Sequence, residues 1–569
     1  MLKTKLQYKI PLLVSLFALL PALRFGWGFT GDWRNQFWFI TYYAEYFLRH
    51  FTFPDMFHSQ QAIGMPAAIF YAAPFYKLMA IPAIILGTGI AFRLVILGVL
   101  LFQYYCIEKL FSELSGNQKL SRVIAIIWTL SIYPMTNLYN RSALMEFVAF
   151  ALLTSSICLL CLITLQSEKY LRFSFMSLMG FCFTLAAGIH PITAVYGGTF
   201  AIVTFLTLLK LSKNRKKIFL ALLPLVGLSL LCLAPWVYAT ANIYPQLAVA
   251  QKINSIDLFF DPAKLWWLRL LPFPFDPRMT YKETDPLPIH MDTQISVLLI
   301  VLLIYFIRRT HLKFGKNGIL ILVGCILFSV SYWLSISLTP WGYLPEIYKS
   351  AQLSYRLTAY CNLALLLALA GCFVGGGRLK VNFGSRGFKI ITVGLLVSAC
   401  FAHTLKIAHA FRAQESKEDK YTRFLSEKDG LLAYPPTLYS ADSYVVTGLN
   451  EKMPVVNEVQ KIQIPFLITT GKNFGKVDEL NINLESEKFV LTNVQAFPWS
   501  QILLDGETTK LYEHDNKYAL KIPAGAHTIA YQLKLPTVYS ILSVISTMLY
   551  LLWFLVAIKP AFNLSRVRS

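Results

Sequence analysis

An all-α polytopic membrane protein with one small β-rich domain before its last helix is the fold that this sequence predicts. Three observations carry that reading. Apolar residues make up 56% of the chain and charged residues only 14%, where an ordinary soluble domain carries roughly a quarter charged. The apolar residues fall in long runs, many of them near the ~20 residues that a helix needs to cross a bilayer. The basic residues behind the net charge of +22 gather in short loops between those runs, the positive-inside pattern of cytoplasmic loops. No nucleic-acid motif accompanies the positive charge, so it reports topology and implies no nucleic-acid partner. Runs of this kind must be helical, because hydrocarbon offers no partner to an open backbone.

Lys3, Lys5 and Lys9 precede an apolar run from Ile10 to Leu23. With no small-x-small cleavage site after it, the run predicts an uncleaved first helix over 8–29, leaving the cytoplasm. A polar, aromatic outer loop is expected over 30–66, its stretch Phe37–Leu48 lying along the membrane interface. Further crossings are predicted near 67–86, 90–107, 121–139, 143–165, 173–189, 192–209 and 218–239, then an outer loop over 241–293. Helices resume near 294–307, 318–338, 356–374 and 388–405, and a last one over 537–558 ends in a basic tail. The sum is about thirteen crossings. Sidedness fails to alternate by one crossing between 67 and 209, so one segment there is a half-crossing, a re-entrant pair or a fusion. Tyr133-Pro134 and His190-Pro191 are the expected breaks, since proline interrupts a helix.

Three units follow: a membrane module over 1–405, a soluble β-rich domain over 406–535, and the last helix with its tail over 536–569. Within the soluble domain Phe489–Val494 has strand composition, and Ile502–Leu504 runs into the hairpin signal Asp505-Gly506. Tyr518–Ile522 and Thr528–Leu533 complete the expectation of a small antiparallel sandwich. None of the nine cysteines lies in it. Cys158 and Cys161 form a CxxC inside an apolar helix with no second pair, which reads as packing and not as a metal site.

Charged and polar residues beside the apolar runs are where chemistry is sought, because ions at a membrane need a partner or a watery cavity. Asp32 sits at the outer end of the first helix, and reads either as a general base toward an acceptor hydroxyl or as a helix cap. Arg141 reads as a phosphate ligand or as a snorkelling anchor. Glu146, five residues on, does not share its helix face closely. His190 reads first as a hydrogen-bonded structural residue. Arg356 is a cation at an outer helix mouth, so it calls for an anion: a lipid phosphate, or a loop carboxylate such as Glu346. Gln352 and Tyr355 precede it. In the 241–293 loop, Asp257, Asp261, Asp276, Asp285 and Asp292 lie among Trp266, Trp267, Phe273 and Phe275, and read as an amphipathic segment on the bilayer. GxGxxG, P-loop, HExxH and nucleophile-elbow patterns are absent.

The order of these stretches resembles the GT-C superfamily of membrane glycosyltransferases, and more closely the bacterial YfhO-type proteins and the related polytopic family labelled after pyruvoyl-tetrahydropterin synthase. The stretches are Gly31-Asp32-Trp33, Gly64-Met65-Pro66 with Phe70-Tyr71, Asn140-Arg141 through Glu146, Gly188-Ile189-His190-Pro191, and Gln352 with Tyr355-Arg356. Phe497-Pro498-Trp499-Ser500, Asp505-Gly506 and Ile522 through His527 continue the series. The resemblance implies a GT-C-like fold in the cell membrane and an inverting transfer of sugar from a polyprenyl-phosphate donor to a glycan or lipid-linked acceptor on the extracytoplasmic face. It implies Asp32 as the catalytic base. Arg356, Gln352, Tyr355, Arg141, His190 and Glu146 would hold donor and substrate; for this chain no metal and no cofactor are expected. Many members carry paired acidic residues in the first outer loop; this chain has Asp32 followed by Trp33 and Arg34.

Overall fold

The computed structural model describes residues 2–23, 32–59, 62–140, 143–165, 170, 173–190, 192–243, 297–300, 316–336, 343–345, 348, 354–374, 386–415, 451–455, 459–465 and 477–564. The fold is mostly helical, with a small two-sheet β region before the last helix. Among the described residues six helices are long and apolar enough to cross a membrane, and five shorter apolar helices accompany them. This is the architecture of a multi-pass membrane protein.

The helices are α1 (Leu2–Leu23), α2 (Asp32–His50), α3 (Ala67–Phe70), α4 (Ala73–Leu86), α5 (Thr88–Ser115), α6 (Gln118–Thr129), α7 (Ile132–Met135), α8 (Leu144–Leu165), α9 (Phe173–Ile189), α10 (Gly198–Leu211) and α11 (Arg215–Asn242). Then follow α12 (Lys316–Ile336), α13 (Thr358–Gly371), α14 (Arg386–Glu415) and α15 (Thr537–Leu564). At the centre stands α8, 94% of whose apolar window is buried, whereas the figure for α11 is 17%. A helix that is apolar on every side belongs in the core if protein surrounds it and against lipid if not; these two take the two options. Small residues let α12 and α13 pack closely, with Gly324 against Ala368 and Gly371 against Ile321.

Several elements depart from the sequence expectation. The crossing expected over 67–86 is split: Ala72 adopts a left-handed φ of 53° and Pro74 follows, so only the short α3 and the 14-residue α4 form. The crossing expected over 121–139 ends at Thr129 and resumes as α7 and a π-helical segment, Thr136–Asn140. The break falls at Leu130–Ser131, one turn before Pro134, whose missing N–H leaves the carbonyl four residues back without its helical donor. The helix expected to end at 405 runs to Glu415. The stretch expected to lie along the interface is α2, and its aromatic residues Phe37, Trp38, Phe39, Tyr42 and Tyr43 are buried by protein. Rings from the 51–66 loop and α4 take the place of lipid: Phe57 stacks on Phe39 at 4.6 Å, and Tyr76 lies 5.6 Å from Tyr43. The 241–293 loop beyond residue 243, with its aspartates and tryptophans, lies outside the described residues, as do most of the helix expected over 294–307 and residues 416–450.

The β region holds β1 (Val459–Lys461), β2 (Leu480–Leu484), β3 (Lys488–Gln495), β4 (Ser500–Leu504), β5 (Glu507–Thr508), β6 (Leu511–His514), β7 (Lys517–Ile522) and β8 (Gly525–Leu533). They form two four-stranded sheets, ordered β1-β3-β7-β6 and β2-β8-β4-β5. Every pair is antiparallel except β1 with β3. The hairpin at Asp505-Gly506 has positive φ at both residues, 54° and 82°, and Asp515-Asn516 makes a second at 48° and 63°. Such mirror-image turns match the twist of the strands they join. A core of Val490, Val494, Ile502, Tyr518, Leu520, Ile522 and Ile529 closes between the sheets.

Ile63, from the loop between α2 and α3, belongs to that same core. Its N–H donates to the Asn493 carbonyl and its carbonyl accepts from the Gln495 N–H, both at 2.9 Å, so the loop adds one rung of parallel sheet to β3. Beneath this seam Met56, Phe70, Phe497, Trp499 and Tyr539 form a second apolar cluster that joins the β region to α3, α11 and α15.

Candidate functional site

Three helix breaks meet around Glu146. The first is the π-helical Thr136–Asn140, the second the interruption at His190 followed by the π-helical Thr193–Gly197, and the third the 3-10 turn Ser354–Leu357 that opens α13. Irregular turns of this kind are frequent at functional sites, since they free backbone groups and re-aim side chains.

Glu146 lies in the first turn of α8 and is buried. Tyr133 donates its hydroxyl to Glu146 Oε1 at 2.6 Å, and the Asn137 amide donates to the same oxygen at 3.1 Å. On the other side, Arg356 Nε stands 3.4 Å from Glu146 Oε2, with side-chain exposures of 16% and 7%. The Tyr133 hydroxyl also lies 3.3 Å from the Arg356 carbonyl oxygen. One carboxylate thus takes two neutral donors and one cation. Burying an ion pair costs several kcal/mol per ion unless the remaining lone pairs are satisfied, and Tyr133 and Asn137 satisfy them.

The network extends to His190. Its Nδ1 is 3.1 Å from the Thr193 hydroxyl. Tyr360 of α13 is buried and lies near Thr193, Glu146 and Arg356. Tyr196 faces Tyr360 with ring centres 6.0 Å apart, and donates its hydroxyl to the Tyr348 carbonyl. Glu146 and Arg356 therefore form one bonded cluster with Tyr133 and Asn137, and the His190–Thr193 pair lies near it across Tyr360, although their sequence positions are far apart.

Asp32 is the first residue of α2. Trp33 beside it is buried, with its ring 4.9 Å from Phe92 and 6.3 Å from Tyr139. Tyr139 belongs to the π segment that also supplies Asn137. The start of α2 is thereby tied to the wall of the Glu146 cluster. The side chain of Asp32 lies outside the described residues, as do Arg141, Gln352 and the side chain of Tyr355; the backbone of Tyr355 is in the 3-10 turn. Glu346, the loop carboxylate considered for Arg356, also lies outside them, and the anion that Arg356 meets is Glu146.

Sequence reasoning singled out Glu146, His190 and Arg356 one by one and missed Tyr133, Asn137, Thr193 and Tyr360. The available signal was a polar Asn137 inside an apolar run, three residues after Pro134. In the β region the hairpin residue Asp505 accepts the Thr528 N–H at 2.7 Å and pairs with His527 Nδ1 at 2.7 Å. His527 and that N–H hold the exposed Asp505 carboxyl below the usual range.

Compared with protein-family models, curated proteins and solved structures, the chain matches none.

Proposed function

We propose that this chain is a membrane glycosyltransferase of GT-C type, with about thirteen crossings, acting at the outer face of the cell membrane. It takes a sugar from a polyprenyl-phosphate donor and passes it, with inversion, to a glycan or lipid-linked acceptor. The observation that carries this reading is the pairing of buried Glu146 with partly buried Arg356 at the meeting of three helix breaks, tied through Trp33 and Tyr139 to the end of α2 that bears Asp32.

In this reading the donor phosphate competes with Glu146 for the Arg356 guanidinium, whose fork fits phosphate as well as carboxylate. Gln352, Tyr355, Arg141 and His190 line the same donor site. Asp32 removes the proton of the acceptor hydroxyl as its oxygen bonds to the anomeric carbon. The bond from that carbon to the phosphate oxygen breaks, and the polyprenyl phosphate leaves with the electron pair. Arg356 stabilises the charge that develops there. Glu146 keeps the guanidinium oriented before the donor arrives. The β domain stands outside the membrane, over the acceptor side.

Sugar transfer by the purified protein, over a panel of polyprenyl-phosphate donors, tests this. Asp32→Asn is expected to lose roughly a hundredfold or more in turnover with donor binding kept. Arg356→Gln is expected to weaken donor binding. Equal transfer by Asp32→Asn and wild type removes Asp32 as the base.

A transporter of a lipid-linked glycan is the second reading, and one observation favours it. Interrupted helices that bring charges together inside a membrane module are also how transporters build substrate sites. Movement of labelled lipid-linked glycan across proteoliposomes, without sugar transfer, would place that reading first.

A further inference from the structure

A pocket separate from the Glu146 cluster lies under the seam between the β region and the membrane helices. Its walls include Tyr43, Asp55, Lys77, Trp236, Tyr539 and Tyr550. Tyr539 and Tyr550 are roughly 16 Å apart along α15, so the pocket reaches from the β-region end of that helix well down its length. Both α11 and α15 are membrane-spanning candidates. Their outer faces present Leu230, Leu231, Leu552 and Leu555, all exposed, which is the surface that lipid chains cover.

Two opposite charges stand in this pocket without closing on each other. The Lys77 ammonium donates to the Thr547 hydroxyl at 2.8 Å. Asp55 is near enough to feel the charge of Lys77, yet among the described residues the two make no ion-pair contact. Charges at a membrane boundary are costly unless each finds a partner. A single ion would satisfy one of the two and be repelled by the other. A dipolar ligand, anionic at one end and cationic at the other, satisfies both.

We propose that this pocket binds the head group of a zwitterionic phospholipid. The phosphate lies at Lys77 and the Thr547 hydroxyl. The ammonium lies at Asp55, beside the rings of Tyr43 and Tyr539, whose faces attract cations. The acyl chains run down the apolar faces of α11 and α15. A lipid with a purely anionic head meets Asp55 unfavourably, and diacylglycerol brings neither charge a counter-ion. This site does not depend on the glycosyltransferase reading, and sugar transfer is not its readout.

The test is lipid binding to the detergent-solubilised full chain, followed by native mass spectrometry. The probes are dioleoyl-phosphatidylethanolamine, dioleoyl-phosphatidylglycerol, dioleoylglycerol and undecaprenyl phosphate. Wild type is expected to bind the phosphatidylethanolamine about tenfold more tightly than the phosphatidylglycerol, the difference that one charge-assisted contact supplies. Asp55→Asn is expected to bring the two within about twofold. Lys77→Gln is expected to weaken both phospholipids toward the diacylglycerol. If Lys77→Gln is not recovered folded, Thr547→Val takes its place and is expected to weaken phosphatidylethanolamine about threefold. The proposal is overturned by equal binding of the two phospholipids to wild type, by a preference that survives Asp55→Asn, by unchanged binding in the Lys77 or Thr547 variant, or by undecaprenyl phosphate displacing phosphatidylethanolamine.

Discussion

The Glu146 cluster and the seam at Ile63 both join distant parts of the chain, and they do so by opposite means. In the cluster the backbone gives way: two π segments and a 3-10 turn interrupt the helices, and side chains supply the bonds. At the seam the side chains are mostly apolar, and the backbone supplies the bonds, as one added rung of sheet against β3. The difference follows from what each must hold. A buried charge needs several donors arriving from different directions, which a regular helix does not offer. A docked domain needs area and register, which strand pairing offers at once.

That comparison is broken most severely by removing one charge from the cluster. Glu146→Leu leaves the partly buried Arg356 beside an apolar group without its counter-ion, and the expected loss is about 3 kcal/mol of stability, the low end for a broken buried pair. The double variant Glu146→Leu with Arg356→Leu is expected to recover much of that loss and, under the proposed function, to lack sugar transfer. Thermal unfolding in detergent, read beside transfer activity, checks both. If the double variant is no more stable than the single one, the pair is not an ion pair in the functional protein.

The seam is expected to respond to pH through His58. This side chain is buried, accepts the Gly64 N–H on Nδ1 at 3.0 Å, and stacks edge-on against Tyr531. Burial pushes its pKa down from 6.5 to about 4. Between those values the unfolded chain binds the proton and the folded chain does not, so stability is full above pH 6.5 and falls as the pH drops toward about 4. The loss is on the order of 3 kcal/mol across that window. His58→Gln keeps an acceptor for Gly64 and is expected to flatten the fall between pH 6.5 and 4. A slope unchanged by the substitution would assign the acid sensitivity to other groups.

The smallest effect is expected at Gly64, which sharpens the seam's geometry. Its φ is +76°, and a Cβ there would come within 2.8 Å of both the Ser500 hydroxyl and the Tyr531 hydroxyl. Gly64→Ala is expected to cost about 2 kcal/mol, from left-handed strain and displacement of Tyr531. Limited proteolysis should then release the β region faster, while the Glu146 cluster and donor binding stay intact. Loss of donor binding in this variant would mean that seam and cluster are coupled.

Much of the architecture was legible because it is written locally. Long apolar runs announce crossings wherever they occur, and Asp505-Gly506 announces a hairpin because few other residues accept positive φ there. The break at His190 was legible for the same reason, since Pro191 brings no N–H. Other features were not legible in this way. The split at Ala72 has no proline or glycine at the turning residue itself. The rings of α2 look equally suited to lipid and to protein, and only the approach of Phe57 and Tyr76 decides between them.

By itself, then, the sequence determined a multi-pass helical chain with a small β domain before its last helix, because hydropathy, turn chemistry and proline act over a few neighbouring residues. Only the tertiary structure decided that Arg356 pairs with Glu146, that Ile63 completes the core of the β region, and that Asp55 and Lys77 face one pocket without touching. Those are contacts between residues far apart in the chain, and no periodicity encodes them. They exist because buried charge and open backbone must find partners wherever the packed helices bring them.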